Sequence, residues 1–198
     1  MFDHVKHDEL FQQGFALVCD NALIGETSDD LEEKSFNEEA LREGMDLLGQ
    51  VIEMRPENWS GLWAMGKGYQ RLGDYENSYQ CFKASKVIAR KDPPDPYPDV
   101  LRELAWSCLQ TDRFDEAIYY TDAARKFRPD DYTLDANHAL AALMKKQFDM
   151  ADQLARRALA ANPADKITQD LVKMIEEVRS GKRPFFKSYQ QMLAWESE

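Results

Sequence analysis

An all-α fold of repeated helix pairs is what this sequence predicts, and three observations predict it. Two segments superimpose at an offset of 34 residues, so that Phe114, Asp115, Ala117, Ala124 and Pro129 reappear as Phe148, Asp149, Ala151, Ala158 and Pro163. Inside each segment the apolar residues recur at the three- and four-residue steps of a helix face. Small residues such as Ala105 and Ala117 stand where two antiparallel helices must approach closely. A period of this length marks arrays in which each unit buries a face against its neighbours, and such arrays usually work by offering a surface to a partner.

The first helix pair is expected in residues 1–57. Leu10, Gly14, Phe15 and Leu17 suggest its first helix, and Leu41, Gly44, Leu48, Val51 and Pro56 suggest its second. Asn37 is the expected N-cap of the second helix, with Phe36 and Leu41 able to close over it as a hydrophobic staple. Between them, residues 25–35 form an acidic loop much longer than the other turns, read as a solvated insertion.

Residues 58–163 hold three further pairs. In the first, Trp59, Leu62, Gly66 and Tyr69 precede a Gly73-Asp74-Tyr75 turn, and Ser78, Phe82 and Ser85 follow it. Its spacing to the next pair is 39 residues, the excess lying in a proline-rich link at 91–98. In the second, Leu101, Leu104, Ala105 and Cys108 mark one helix, a polar turn covers 110–113, and Phe114, Ala117, Ile118 and Ala124 mark the other. Pro129 stops it, since proline has no amide donor and restricts the residue before it. The third keeps the plan with Ala139, Ala142, Phe148, Ala151, Leu154, Ala155 and Ala158.

Residues 164–180 are the expected capping helix, with Ile167, Leu171, Met174, Ile175 and Val178 at helical spacing to cover the last repeat. Residues 181–198 are a hinge and an aromatic tail. Phe185, Tyr189 and Leu193 recur every four residues, and Phe186, Met192 and Trp195 widen the stripe, so a short amphipathic helix is expected to fold back onto the capping helix.

These patterns together resemble the tetratricopeptide repeat family. The resemblance is carried by Leu62, Gly66, Tyr69, Ser78, Phe82 and Ser85, by Leu101, Ala105, Ala117 and Ala124, and by Ala139, Ala151, Ala155, Ala158 and Pro163. Thr121 departs from it where a bulky residue is common, Asp135 stands where Leu101 sits one repeat earlier, and Cys108 and Ala142 replace the aromatic seen at Tyr69. The resemblance implies a right-handed superhelix of antiparallel helix pairs, the first helix of each lining a concave side. On those helices periodicity selects Trp63, Lys67 and Gln70, then Arg102, Trp106 and Leu109, then Asn137, Leu140 and Met144 as partner-binding residues. Trp supplies a large rigid contact and Arg a carboxylate clamp. The same tryptophans could instead pack repeat on repeat, and Arg102 could pair with Glu103. The face lacks the dense Lys, Asn and Arg set of chaperone-binding members that clamp a terminal carboxylate.

Composition bounds the partners. The net charge is -11, and residues 1–57 carry all of it, with fifteen Asp or Glu against four Lys or Arg. Nucleic acid and anionic membrane surfaces are therefore not expected partners, since both reward clustered cations. Residues 1–10 lack the basic-then-apolar order of a secretory signal and no stretch is apolar enough to span a bilayer, which predicts a soluble cytoplasmic protein. Cys19, Cys81 and Cys108 are odd in number and far apart, and read as buried free thiols. His4, His7 and His138 have no neighbouring ligand set, so no metal and no cofactor is expected.

Two motifs imitate catalytic sites. The glycines at 61–68 with Lys67 lie inside a helix pattern, where they cannot form a strand-to-helix phosphate loop. The adjacent acids Asp130 and Asp131, and Glu176 and Glu177, are not opposed across a cleft as glycoside chemistry requires. The expected function is that of a noncatalytic module binding a protein or peptide client, in the class of client-specific chaperones, adaptors and toxin-neutralising proteins. The alternative is a self-assembly subunit whose groove or aromatic tail joins copies into a homo-oligomer.

Overall fold

The computed structural model describes residues 3–22, 37–89 and 96–196. The expected acidic loop at 25–35, the staple residue Phe36 and most of the 91–98 link lie outside the described residues. Among the described residues there are ten helices: α1 (His4–Ala22), α2 (Glu38–Met54), α3 (Trp59–Arg71), α4 (Tyr75–Ala89), α5 (Tyr97–Gln110), α6 (Phe114–Arg125), α7 (Tyr132–Met144), α8 (Phe148–Ala161), α9 (Lys166–Arg179) and α10 (Tyr189–Glu196). The described residues contain no strand, and the fold is all-α. The chain forms two compact units, Met1–Val100 and Leu101–Glu198.

In the first unit α1 packs along α2, α3 along α4, and α3 also meets α1 and α2. Asn37 caps α2 as expected, its side chain accepting the Ala40 N–H at 3.0 Å. The α1–α2 crossing is set by two glycines. A Cβ on Gly14 would stand 2.9 Å from the Gly44 carbonyl oxygen, and one on Gly44 would stand 2.8 Å from the Leu17 Cβ, so any side chain would force the backbones apart. Beside this crossing Val18, Leu41, Met45, Leu48 and Ala64 form the core, with Phe11, Phe15, Trp63, Met65, Tyr69 and Leu72 packed on it. Gly66 leaves room for the Phe82 ring, which would lie 2.8 Å from a Cβ there.

In the second unit α6 packs on α7, α7 on α8, and α9 on both α7 and α8. Ala105, Ala117, Ala124, Ala139, Ala142, Ala151, Ala155 and Ala158, the small residues that the repeat pattern singles out, are buried. Asp131 starts α7 by accepting the Thr133 N–H at 3.0 Å. The repeat turns need a left-handed residue, and Gly73, Asp112 and Lys146 supply it in successive pairs at φ 75°, 61° and 61°. Only glycine adopts that conformation without crowding its own Cβ, so the later two turns are strained by comparison.

Asp135, where the repeat elsewhere has Leu101, is half-buried and accepts from two guanidinium groups: Arg125 of α6 at 3.1 Å and both arms of Arg157 of α8. One carboxylate thus links the helices on either side of α7. The capping helix buries Leu171, Val172, Met174, Ile175 and Val178, whereas Ile167 is 62% exposed. Ile167 lies in the first turn, two residues after the N-cap Asp165, and points away from the covered face.

Candidate functional site

Of the sequence-selected partner-binding residues, Trp63, Lys67 and Gln70 belong to the first unit and the rest to the second. Trp63 is half-buried and packs on the first unit's core. Lys67 and Gln70 beside it on α3 are also half-buried. An open groove of about 520 Å³ in this unit runs between α2 and α3 instead, with Met45, Met65 and Tyr69 as apolar lining and Arg42, Asp46 and Glu53 as charged lining. Tyr69, which periodicity assigned to the repeat core, packs on that core and also lines this groove.

In the second unit Arg102, Trp106 and Asn137 are half-buried. Leu109 has no exposed surface, and Leu140 and Met144 retain 6% and 8%. These three fill the interior because α7 is covered on several sides, every residue from Ala139 to Met144 being buried, and a helix buried all round shows no outer face to periodicity. The Arg102 guanidinium lies 3.4 Å from the Asp131 carboxylate and 3.6 Å from that of Glu103. Asp131 divides its oxygens, one capping α7 and the other facing Arg102. Local carboxylates therefore already balance the charge that the sequence suggested as a carboxylate clamp.

Trp106 has a different neighbour. Its ring meets the Tyr189 ring of the tail edge-on, with centroids 5.8 Å apart and planes at 88°. The Tyr189 backbone N–H donates to the Asp112 carboxylate at 2.7 Å, and the Lys146 ammonium stands 4.7 Å over the Phe185 ring. The tail thus touches the left-handed residues of two successive repeat turns and the last part of α5. These contacts lie beyond the capping helix on which the sequence reading placed the tail; that helix holds the hinge through Glu177, which accepts from the Lys182 and Arg183 backbone and from the Arg183 side chain at 2.9 Å.

The tail helix begins at Tyr189, so the expected four-residue stripe does not hold throughout. Phe186, Tyr189 and Met192 are the buried set, Phe185 and Leu193 are half-buried, and Trp195 is 44% exposed. Phe185 and Phe186 precede the helix and do not follow its period.

The imitations of catalytic sites resolve into packing. Gly61, Gly66 and Gly68 face Ile52, Phe82 and Met45. Glu176 pairs with Arg156 at 2.6 Å. Burial, with Asp74 nearby, pushes the Cys81 thiol up to about 11, and burial with Asp20 also raises that of Cys19. Both stay protonated at neutral pH, and Cys108 is buried outright. Among the described residues no group of His, Cys, Asp or Glu is arranged to hold a metal ion, and no helix is long and apolar enough to cross a membrane.

The sequence matches no protein-family model and no curated protein. Solved structures do share the fold. A mutant of MamA aligns over 89% of this chain and 84% of its own at 14% identity, with a TM-score of 0.63. YrrB, described as a tetratricopeptide repeat protein with an unusual peptide-binding site, aligns over 74% and 72% at 11% identity and a TM-score of 0.58. A chain of the APC/C hetero-tetramer Cut9-Hcn1 aligns over 69% of this chain at 17% identity with a TM-score of 0.62, and the match spans 27% of that chain's length.

Proposed function

We propose that this chain is a noncatalytic binding module that recognises a protein or peptide client. Client contact is assigned to the first helices of the pairs: in the second unit to Trp106 as anchor with Arg102 and Asn137 beside it, backed by Leu109, Leu140 and Met144, and in the first unit, by itself, to Trp63, Lys67 and Gln70. The observation that carries this reading is the aromatic segment held against Trp106: a ring contact, a backbone N–H in a carboxylate and an aromatic under an ammonium are the elements of peptide recognition. The fold supports it, since arrays of this type present extended surfaces, and the peptide-binding site in the YrrB structure's description is consistent with it. A role as chaperone, adaptor or toxin-neutralising protein, in the cytoplasm, fits an acidic helical chain of this kind.

Affinity capture with the intact chain, run beside Trp106→Ala and Arg102→Ala, tests it. A stoichiometric partner retained by the wild type and depleted by Trp106→Ala is the expected result. Equal retention by both variants would move the interface elsewhere. The self-assembly alternative is favoured by one observation: the tail follows a glycine hinge, Gly181 at φ 75°, across which it could engage another copy. Light scattering at several concentrations decides it, a fixed oligomer supporting assembly and a monomer the external client.

A further inference from the structure

We infer that the surface formed by Trp106, Asp112 and Lys146 is a receptor for a short aromatic peptide, that the chain's own tail occupies it as a built-in competitor, and that a client of the same chemistry binds by displacing the tail. This deepens the binding reading and rests on it.

Three contacts define what the surface accepts. Trp106 offers its ring to the edge of an aromatic side chain. Asp112, in an exposed turn, accepts the backbone N–H of that same residue. Lys146, in the next turn, covers an aromatic four residues towards the N-terminus, as it covers Phe185. The pattern is therefore an aromatic, three residues, then a second aromatic with a free N–H. Any segment carrying it can make the same set, because one contact is to the backbone and the other two are to π-systems.

The tail is built to leave. Its helix has eight residues, too few to persist without the surface it covers. Residues 180–188 between α9 and α10 contain no helix, and Gly181 gives them a left-handed pivot. Trp195 remains 44% exposed, and its ring contact to Phe186, with centroids 6.3 Å apart, lies within the tail. Tethering nevertheless favours the tail, since a short link presents it at roughly millimolar effective concentration.

The test uses a labelled synthetic peptide with the sequence of residues 184–196, added to the full chain and followed by fluorescence anisotropy. The wild type is expected to bind it at least about 10-fold more weakly than Tyr189→Ala or Phe186→Ala, which release the tethered tail. Both changes lie outside α5 to α9, and circular dichroism checks that the array persists. Adding Trp106→Ala or Asp112→Gly to the released chain should remove the gain, the glycine keeping the turn's conformation while deleting the carboxylate. Equal binding by the wild type and both released chains would overturn the competitor role. Absent binding by all of them, or binding indifferent to Trp106→Ala and Asp112→Gly, would overturn the receptor. If the peptide fails yet affinity capture still retains a stoichiometric partner, the inference falls and the binding reading stands; if both fail, both fall.

Discussion

Thr121 carries a hydroxyl into a site with no exposed surface, and that oxygen has no hydrogen-bond partner there. The sequence marks the position only as a departure from the repeat's bulky residue; the missing partner depends on what packs across from it. Thr121→Val keeps the shape and removes the unpaired group, and should stabilise the fold by about 1 kcal/mol in chemical denaturation. A loss of stability would mean that the hydroxyl is paired. His138 is the residue with a pH consequence. Burial lowers its pKa, opposed by the Asp122 and Asp135 carboxylates and assisted by the Arg125 and Arg157 guanidinium groups. The neutral ring is thus favoured in the folded state, while the unfolded chain titrates near the ordinary value of about 6.5. The associated stability is complete above that value and is lost as pH falls through it towards the lower folded-state value. The denaturation midpoint should therefore fall between about pH 7 and 5.5 more steeply in the wild type than in His138→Gln. Parallel slopes would remove His138 from the account.

At the scale of elements, the helix pairs were legible because their signals are local. The 34-residue offset, the alanines and the turn prolines lie within one or two helices of each other. Asn37 was readable as a cap because capping involves residues three apart, here Asn37 and Ala40. Asp135 was not, since its partners Arg125 and Arg157 sit ten and twenty-two residues away on other helices. The α1–α2 pair offers the sharpest packing test. Gly44→Ala places a methyl group against the Leu17 side chain and the Gly14 carbonyl, and backbone cannot yield as a flexible side chain can. The expected cost is about 1–3 kcal/mol by chemical denaturation, although alanine is the better helix former. A gain in stability would show that helix propensity outweighs the crossing contact. Ala117→Leu should cost a similar amount, about 1–3 kcal/mol, because Ala117 has almost no free surface.

At the scale of the whole molecule, the proposed binding turns on where the tail lies, and this is where the sequence was least informative. Its aromatic residues announced a covered segment, but the bond that anchors it joins residues 77 apart, beyond any helical or turn period. The candidate face was only partly legible for a related reason. Trp106 was selected by its place on the first helix of a pair and is half-buried, whereas Leu109, Leu140 and Met144 were assigned to the same face and are interior, since burial of a helix on several sides depends on its neighbours. The central claim is that the Trp106 face holds a peptide segment, and amide hydrogen exchange at Tyr189 in the intact chain tests it most directly. The account predicts slow exchange of that N–H in the wild type, because it is bonded to Asp112, and exchange accelerated by about 10-fold or more in Trp106→Ala, a loss of roughly 1.4 kcal/mol of protection. Exchange at the unprotected rate in the wild type, or protection unchanged by Trp106→Ala, would contradict it.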